Sequence, residues 1–139
     1  MKVLLDTNVI VDIAFERQPF YDDSDQVFSL VEQGQIEGYV SASTFSDLYY
    51  IIRKERGRDW TLSFLTRLTS TCQVTTVDRA VITMALTASF RDFEDAIQYS
   101  CAVINQLDAI VTRNPQDFRV TAPRILTPNE LIQELSNSH

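Results

Sequence analysis

Short apolar runs alternate along this chain with longer stretches of helical spacing. Val3-Leu4-Leu5 is continuously apolar, has the length of a strand buried on both faces, and stops at Asp6. Asn8 to Phe15 reads as a short helix broken before Pro19. Asp22-Asp23-Ser24-Asp25 then supplies caps for a second helix over 24–33. Gly34 and Gly38 bracket a turn, and Tyr39-Val40 read as a short strand. Ser41 or Ser43 can cap a long helix to about Glu55, with Phe45, Leu48, Tyr49 and Ile52 on one face and Gly57 at its end. A helix over 60–68 follows, with Leu62, Leu65 and Leu68 as core candidates. Residues 74–77 look strand-like, and Asp78 and Asp92 can cap helices over 80–88 and 96–105. Residues 109–112 form an apolar strand ending in Arg113-Asn114-Pro115. Ile125-Leu126 are a last short strand, and Pro128 opens a final helix to Leu135.

Strands that alternate with helices imply a parallel sheet covered on both faces, an α/β fold of three layers, α/β/α. The 139 residues suit one domain over 1–139, since no repeat, linker or low-complexity stretch divides them.

Composition narrows the chemistry. Cys72 and Cys101 are isolated thiols and the single histidine is His139, so neither a Cys/His zinc site nor a histidine-based triad is expected. The formal charge of −7 argues against broad, sequence-blind binding to nucleic acid. It leaves room for a small site that acts on phosphodiesters through a bound cation, because clustered carboxylates themselves raise the negative count. No stretch approaches a membrane span, and Asp6 interrupts the only candidate leader, so a cytoplasmic protein with no membrane partner is expected.

The carboxylates fall at telling places. Asp6 ends the first strand, and ligands of open α/β sheets gather beyond the carboxyl ends of strands. Its plain alternative is a helix N-cap. Asp47 lies near the start of the long helix, next to core candidates. Asp95 lies in a first helical turn, and Asn114 and Asp117 follow the 109–112 strand. Brought to one rim, these groups repel one another, and a hard divalent cation such as Mg²⁺ or Mn²⁺ relieves that repulsion. Against this stand a polar residue at the core edge for Asp47, a dipole-complementing residue for Asp95, and turn formers for Asn114 and Asp117. Asp92 reads as a cap, and Asp12 and Asp78 as structural. Arg53, Lys54, Arg56 and Arg58 read as a solvated helix end, with contact to RNA phosphates or an acidic partner as the alternative.

Four segments together resemble the PIN-domain family of metal-dependent ribonucleases, which includes the toxins of VapBC toxin–antitoxin pairs. They are Leu4-Leu5-Asp6-Thr7-Asn8-Val9-Ile10, Ser41-Ala42-Ser43-Thr44-Phe45-Ser46-Asp47-Leu48, Phe93-Glu94-Asp95-Ala96 and Ile110-Val111-Thr112-Arg113-Asn114-Pro115-Gln116-Asp117-Phe118. The resemblance spans nearly the whole chain in the same order. It implies an endoribonuclease that hydrolyses RNA by water activated on Mg²⁺ or Mn²⁺, with an antitoxin protein and a homodimer as possible partners. Metal binding carries over to Asp6 and Asp95, and to Asp47 where the family often has Glu. Asn114 stands where many members have Asp, with Asp117 as the substitute. Thr7, Asn8 and Arg113 are the candidate substrate contacts, Arg113 for a phosphate. The alternative function is a degenerate PIN domain that binds RNA or protein without cleaving. An aspartyl phosphotransferase of the haloacid-dehalogenase kind is disfavoured because Asn8 stands where a second Asp is required. A response-regulator receiver is disfavoured because Arg113 stands where it needs Lys.

Overall fold

In the computed structural model, which describes residues 1–137, five parallel strands form one sheet, so His139 lies outside the described residues. The elements are β1 (Lys2–Leu5), α1 (Thr7–Ala14), α2 (Tyr21–Glu32), β2 (Glu37–Ser41), α3 (Ala42–Arg56), α4 (Arg58–Thr71) and β3 (Gln73–Thr75). They continue with α5 (Arg79–Thr87), α6 (Phe93–Ile104), β4 (Ala109–Val111), a 3₁₀ turn (Pro115–Asp117), β5 (Arg124–Leu126) and α7 (Pro128–Asn137). The α/β/α architecture with a central parallel sheet, expected from the alternation, is what forms.

The strand order is β3-β2-β1-β4-β5. The winding therefore reverses between β1 and β4, and the crevice beyond the carboxyl ends of those two strands is where such sheets bind ligands. The continuous apolar runs follow from burial on both faces. Val3 and Leu5 of β1, with Ala109 and Val111 of β4, face a core closed by α1, α2, α3, α4 and α7. Leu4 and Ile110 point the opposite way, into a second core under α5 and α6 that includes Val81, Ala85, Ile97 and Cys101.

Gly38 in β2 marks a close approach. A Cβ there would lie 3.0 Å from both Val31 methyl carbons and 3.1 Å from Cys72 Sγ. Gly57 separates α3 from α4 at φ +82°, a conformation that side chains resist.

Several boundaries differ from expectation. The second helix begins at Tyr21, so Asp22 and Asp23 sit in its first turn, where they suit the helix dipole without capping. The helix expected over 60–68 spans Arg58–Thr71, and Leu62 is exposed while Leu68 is buried. β3 ends at Thr75 and leaves Val74 exposed, because it is an edge strand with a partner on one side only. The helix expected to open at Ala96 begins at Phe93, immediately after its cap Asp92, whose Oδ1 accepts the Asp95 N–H at 3.1 Å. Asp78 caps α5 in the same way, accepting from the Val81 N–H.

Candidate metal centre

Asp6 follows β1 at the reversal point, with its N–H donated to Val111 O of β4 at 2.9 Å. It occupies the N-cap position of α1 but makes no side-chain cap bond. Its carboxylate is instead held from two other elements. Gln98 Nε2, on α6, donates to Oδ1 at 2.9 Å, and Thr112 Oγ1, just beyond β4, donates to Oδ2 at 2.7 Å. Thr112 Oγ1 in turn accepts the Asn114 N–H at 3.1 Å. Asp6 is only 5% exposed. Burial raises its pKa, the bonds from Thr112 and Gln98 oppose that, and Asp117 adds to it.

Above Asp6 opens a cleft of about 580 Å³ whose lining includes Asp6, Asp47, Glu94, Asp95 and Asp117. Asp95, in the first turn of α6, is pushed up to about 7 by burial and then by Asp6, Asp92, Asp117 and Glu94. Glu94, its neighbour, is also pushed up to about 7, by burial and then by Asp47 and Asp92. Hydroxyls hold Glu94 in place: Ser43 Oγ and Thr44 Oγ1 donate to its Oε1 at 3.2 and 3.4 Å. Ser43 Oγ also bonds Ser41 Oγ at 2.8 Å, and Thr44 Oγ1 bonds Thr7 Oγ1 at 3.1 Å. This chain of hydroxyls links the N-termini of α1, α3 and α6 around one acid.

The residues singled out in the sequence separate at this point. Asp6, Asp47, Asp95 and Asp117 line the same cleft; Asn114 is not among its walls. Asp47 is exposed, not pressed against the core edge as its neighbours suggested, because the α3 positions that turn inward here are Thr44, Leu48 and Ile52. Asn114 is instead the residue before Pro115 at the start of the 3₁₀ turn, which carries Asp117 to the rim. Thr7, Asn8 and Arg113 also line the cleft. Asn8 Oδ1 accepts the Arg113 N–H at 3.3 Å, so its side chain ties α1 to the loop after β4.

Arg113 and Arg17 share the cleft wall and a common counter-ion. Asp12, fully buried on α1, lies 3.2 Å from Arg113 Nε and 3.8 Å from Arg17 Nη1. Neither Asp12 oxygen makes a hydrogen bond, nor does Arg113 Nε, so the attraction is charge to charge. Burial raises the Asp12 pKa, and the two guanidinium groups oppose the rise. The Arg113 guanidinium also sits 4.3 Å above the Phe20 ring centroid.

Two contributors were missed in the sequence. Glu94 was passed over beside Asp95, although successive residues in a first helical turn can both reach one rim. Gln98 was not singled out at all, and its spacing of three and four from Asp95 and Glu94 was the available signal.

Among the described residues, no three Asp, Glu, His or Cys side chains are already drawn into a coordinating group. The fit to a cation rests on the donors themselves. Six carboxylates line this cleft, three of them (Asp6, Glu94 and Asp95) raised by burial and then by their acidic neighbours, and both guanidinium groups of the cleft are engaged by Asp12. All-oxygen donors of this kind suit Mg²⁺ or Mn²⁺.

A family model described as PIN domain matches residues 2–116. Among solved structures, the DNA-bound VapBC of Salmonella typhimurium matches with a TM-score of 0.69 at 20% identity, covering 92% of this chain and 98% of that one. VapBC2 of Rickettsia felis bound to a promoter DNA fragment matches with a TM-score of 0.68 at 15% identity, covering 91% and 98%. VapC20 of Mycobacterium tuberculosis, a Sarcin-Ricin loop cleaving toxin, matches with a TM-score of 0.64 at 10% identity, covering 78% and 86%. No curated protein sequence gives a significant match. None of the described helices is long and apolar enough to cross a membrane. With its reversal-point carboxylate, its three-layer fold around one parallel sheet and a family match over most of its length, this chain belongs to the PIN-domain family.

Proposed function

We propose that this protein is an endoribonuclease dependent on Mg²⁺ or Mn²⁺ and serves as the toxin of a toxin–antitoxin pair. The observation that carries the reading is the fixed, buried Asp6 carboxylate facing a rim of acids that repel one another. Asp6 and Asp95 would hold the cation, with Asp47, Glu94 and Asp117 on the same rim. A divalent ion there supplies Lewis acidity and water activation at neutral pH.

The chain's own residues do the positioning. Gln98 and Thr112 each donate to one Asp6 oxygen, which leaves further acceptor capacity on both oxygens of this cleft-lining carboxylate. Ser43 and Thr44 orient Glu94 through one oxygen. Arg113, held by Asp12 and Phe20, presents its remaining N–H groups on the cleft wall, where a substrate phosphate would be received. The carboxylates must be ionised to ligate, so activity should rise with pH through the region near 7 where Asp95 and Glu94 titrate in the metal-free protein. The toxin assignment draws support from the VapBC neighbours and their antitoxin complexes.

A rival reading, an RNA- or protein-binding PIN domain without catalysis, draws on the exposed Asp47 and the absence of a ready coordinating trio among the described residues. Incubation of the protein with single-stranded and structured RNA, with Mg²⁺ or Mn²⁺ and with chelator, separates the two. Cleavage that requires metal supports the ribonuclease. Binding with no cleavage under any metal supports the rival.

A further inference from the structure

A second cleft, of about 820 Å³, adjoins the first, and Asp92, Asp95 and Asp117 line both. The acidic rim is therefore a saddle between two depressions. On the first side stand Arg113 and Arg17, both engaged by Asp12. The second side is built differently. Its walls include Phe90, Tyr99, Arg91 and Arg119. The Phe90 and Tyr99 rings lie 5.1 Å apart, and the buried Phe118 backs Phe90 edge-on at 5.8 Å. That packing holds the aromatic wall rigid.

Arg91 and Arg119 are exposed, and neither pairs with a carboxylate among the described residues, although three aspartates line the same cleft. Arg119 makes one long bond, from Nε to Gln116 O at 3.4 Å. In a chain of charge −7, two uncommitted guanidinium groups beside a half-buried aromatic pair are an unusual use of cationic side chains.

An enzyme that cuts inside a strand must grip nucleotides on both sides of the broken bond. Aromatic faces grip unpaired bases by stacking, and arginines grip the phosphates between them. Bases locked in a duplex cannot turn onto such a wall. We propose that the second cleft is a substrate subsite, which holds the single-stranded RNA flanking the cleaved phosphate with bases against Phe90 and Tyr99 and phosphates against Arg91 and Arg119. This deepens the ribonuclease reading and rests on it.

The test uses the full chain, a fluorescein-labelled single-stranded oligouridylate and the same oligonucleotide annealed to its complement. The Arg91→Ala/Arg119→Ala double variant should raise KM for the single strand by ~10-fold or more, with kcat within about 3-fold and an unchanged melting temperature. Its binding, followed by anisotropy, should show a salt slope lower by about 1–2. Lysine at both positions should restore part of the salt slope. Tyr99→Leu should weaken the single strand more than the duplex. Wild-type protein that cleaves while the double variant shows the same KM would overturn the subsite and leave the ribonuclease reading standing. If no RNA is cleaved by any form, the ribonuclease reading fails, and anisotropy still decides: equal binding of the single strand by wild type and double variant overturns the subsite.

Discussion

Replacing Asp95 by Asn should stabilise the metal-free protein at alkaline pH while removing its response to metal. Asp95 is raised from 3.8 to about 7 by burial and by Asp6, Asp92, Asp117 and Glu94. The fold therefore disfavours its charged form. Because the folded carboxyl keeps a proton that the unfolded chain has already released, the contribution of Asp95 to stability is greatest below pH 4. It falls as pH climbs through the window from about 4 to about 7, and is level above that. A shift of roughly three units at ~1.36 kcal/mol each sets a ceiling near 4 kcal/mol. Asp95 is partly exposed and coupled to Glu94, so about half of that, ~2 kcal/mol, is the reasonable expectation. For a domain of this size that is about 5 °C in Tm. Thermal melts in EDTA at pH 4, 6 and 8 provide the assay. The variant should match the wild type at pH 4 and exceed it by ~5 °C at pH 8. Millimolar Mn²⁺ should then raise the wild type and leave the variant almost unmoved. A variant that melts at or below the wild type at pH 8, or a gap that does not change with pH, would refute the claim that burial and the neighbouring acids disfavour a charged Asp95.

Other sites give independent expectations. Thr112→Val removes a 2.7 Å bond to Asp6 and the acceptor of the Asn114 N–H, so metal affinity should drop ~10–100-fold by Mn²⁺ titration, with the fold retained by circular dichroism. Arg113→Ala leaves the buried Asp12 with only Arg17 at 3.8 Å, and urea denaturation should show a loss of about 3 kcal/mol. Gly38→Ala forces Val31 and Cys72 apart from contacts of 3.0–3.1 Å and should cost ~1–3 kcal/mol in the same assay, with metal affinity unchanged because the site lies at the other end of β2.

How far the chain could be read before its fold was seen depended on which signals are local. The sheet was legible because strands buried on both faces carry continuous apolar runs, as Val3-Leu4-Leu5 and Ala109-Ile110-Val111 do. Asp6 was legible because a carboxylate that ends such a run has few places to go. Glu94 was not, because its role comes from Ser43 and Thr44, some fifty positions away in sequence. Gln98 was hidden for a similar reason: a buried glutamine on an apolar stripe declares itself only when its partner, Asp6, is known to lie opposite. The choice between Asn114 and Asp117 turned on the 3₁₀ turn at Pro115, a geometry that local propensity does not specify. Leu62 was misread as core because α4 packs chiefly against α3, through the face that carries Thr61, Phe64, Leu65 and Leu68, and Leu62 lies off that face.

The central claim is that carboxylates from β1, α3, α6 and the turn after β4 meet to hold one divalent ion. Titrating the protein with Mn²⁺ at pH 8, with free Mn²⁺ followed by electron paramagnetic resonance, tests it most directly. Wild-type protein should bind Mn²⁺, with Asp6→Asn and Asp95→Asn each at least ~10-fold weaker although folded. Wild-type protein that leaves all Mn²⁺ free, or an Asp6→Asn protein that binds as tightly as wild type, would contradict it.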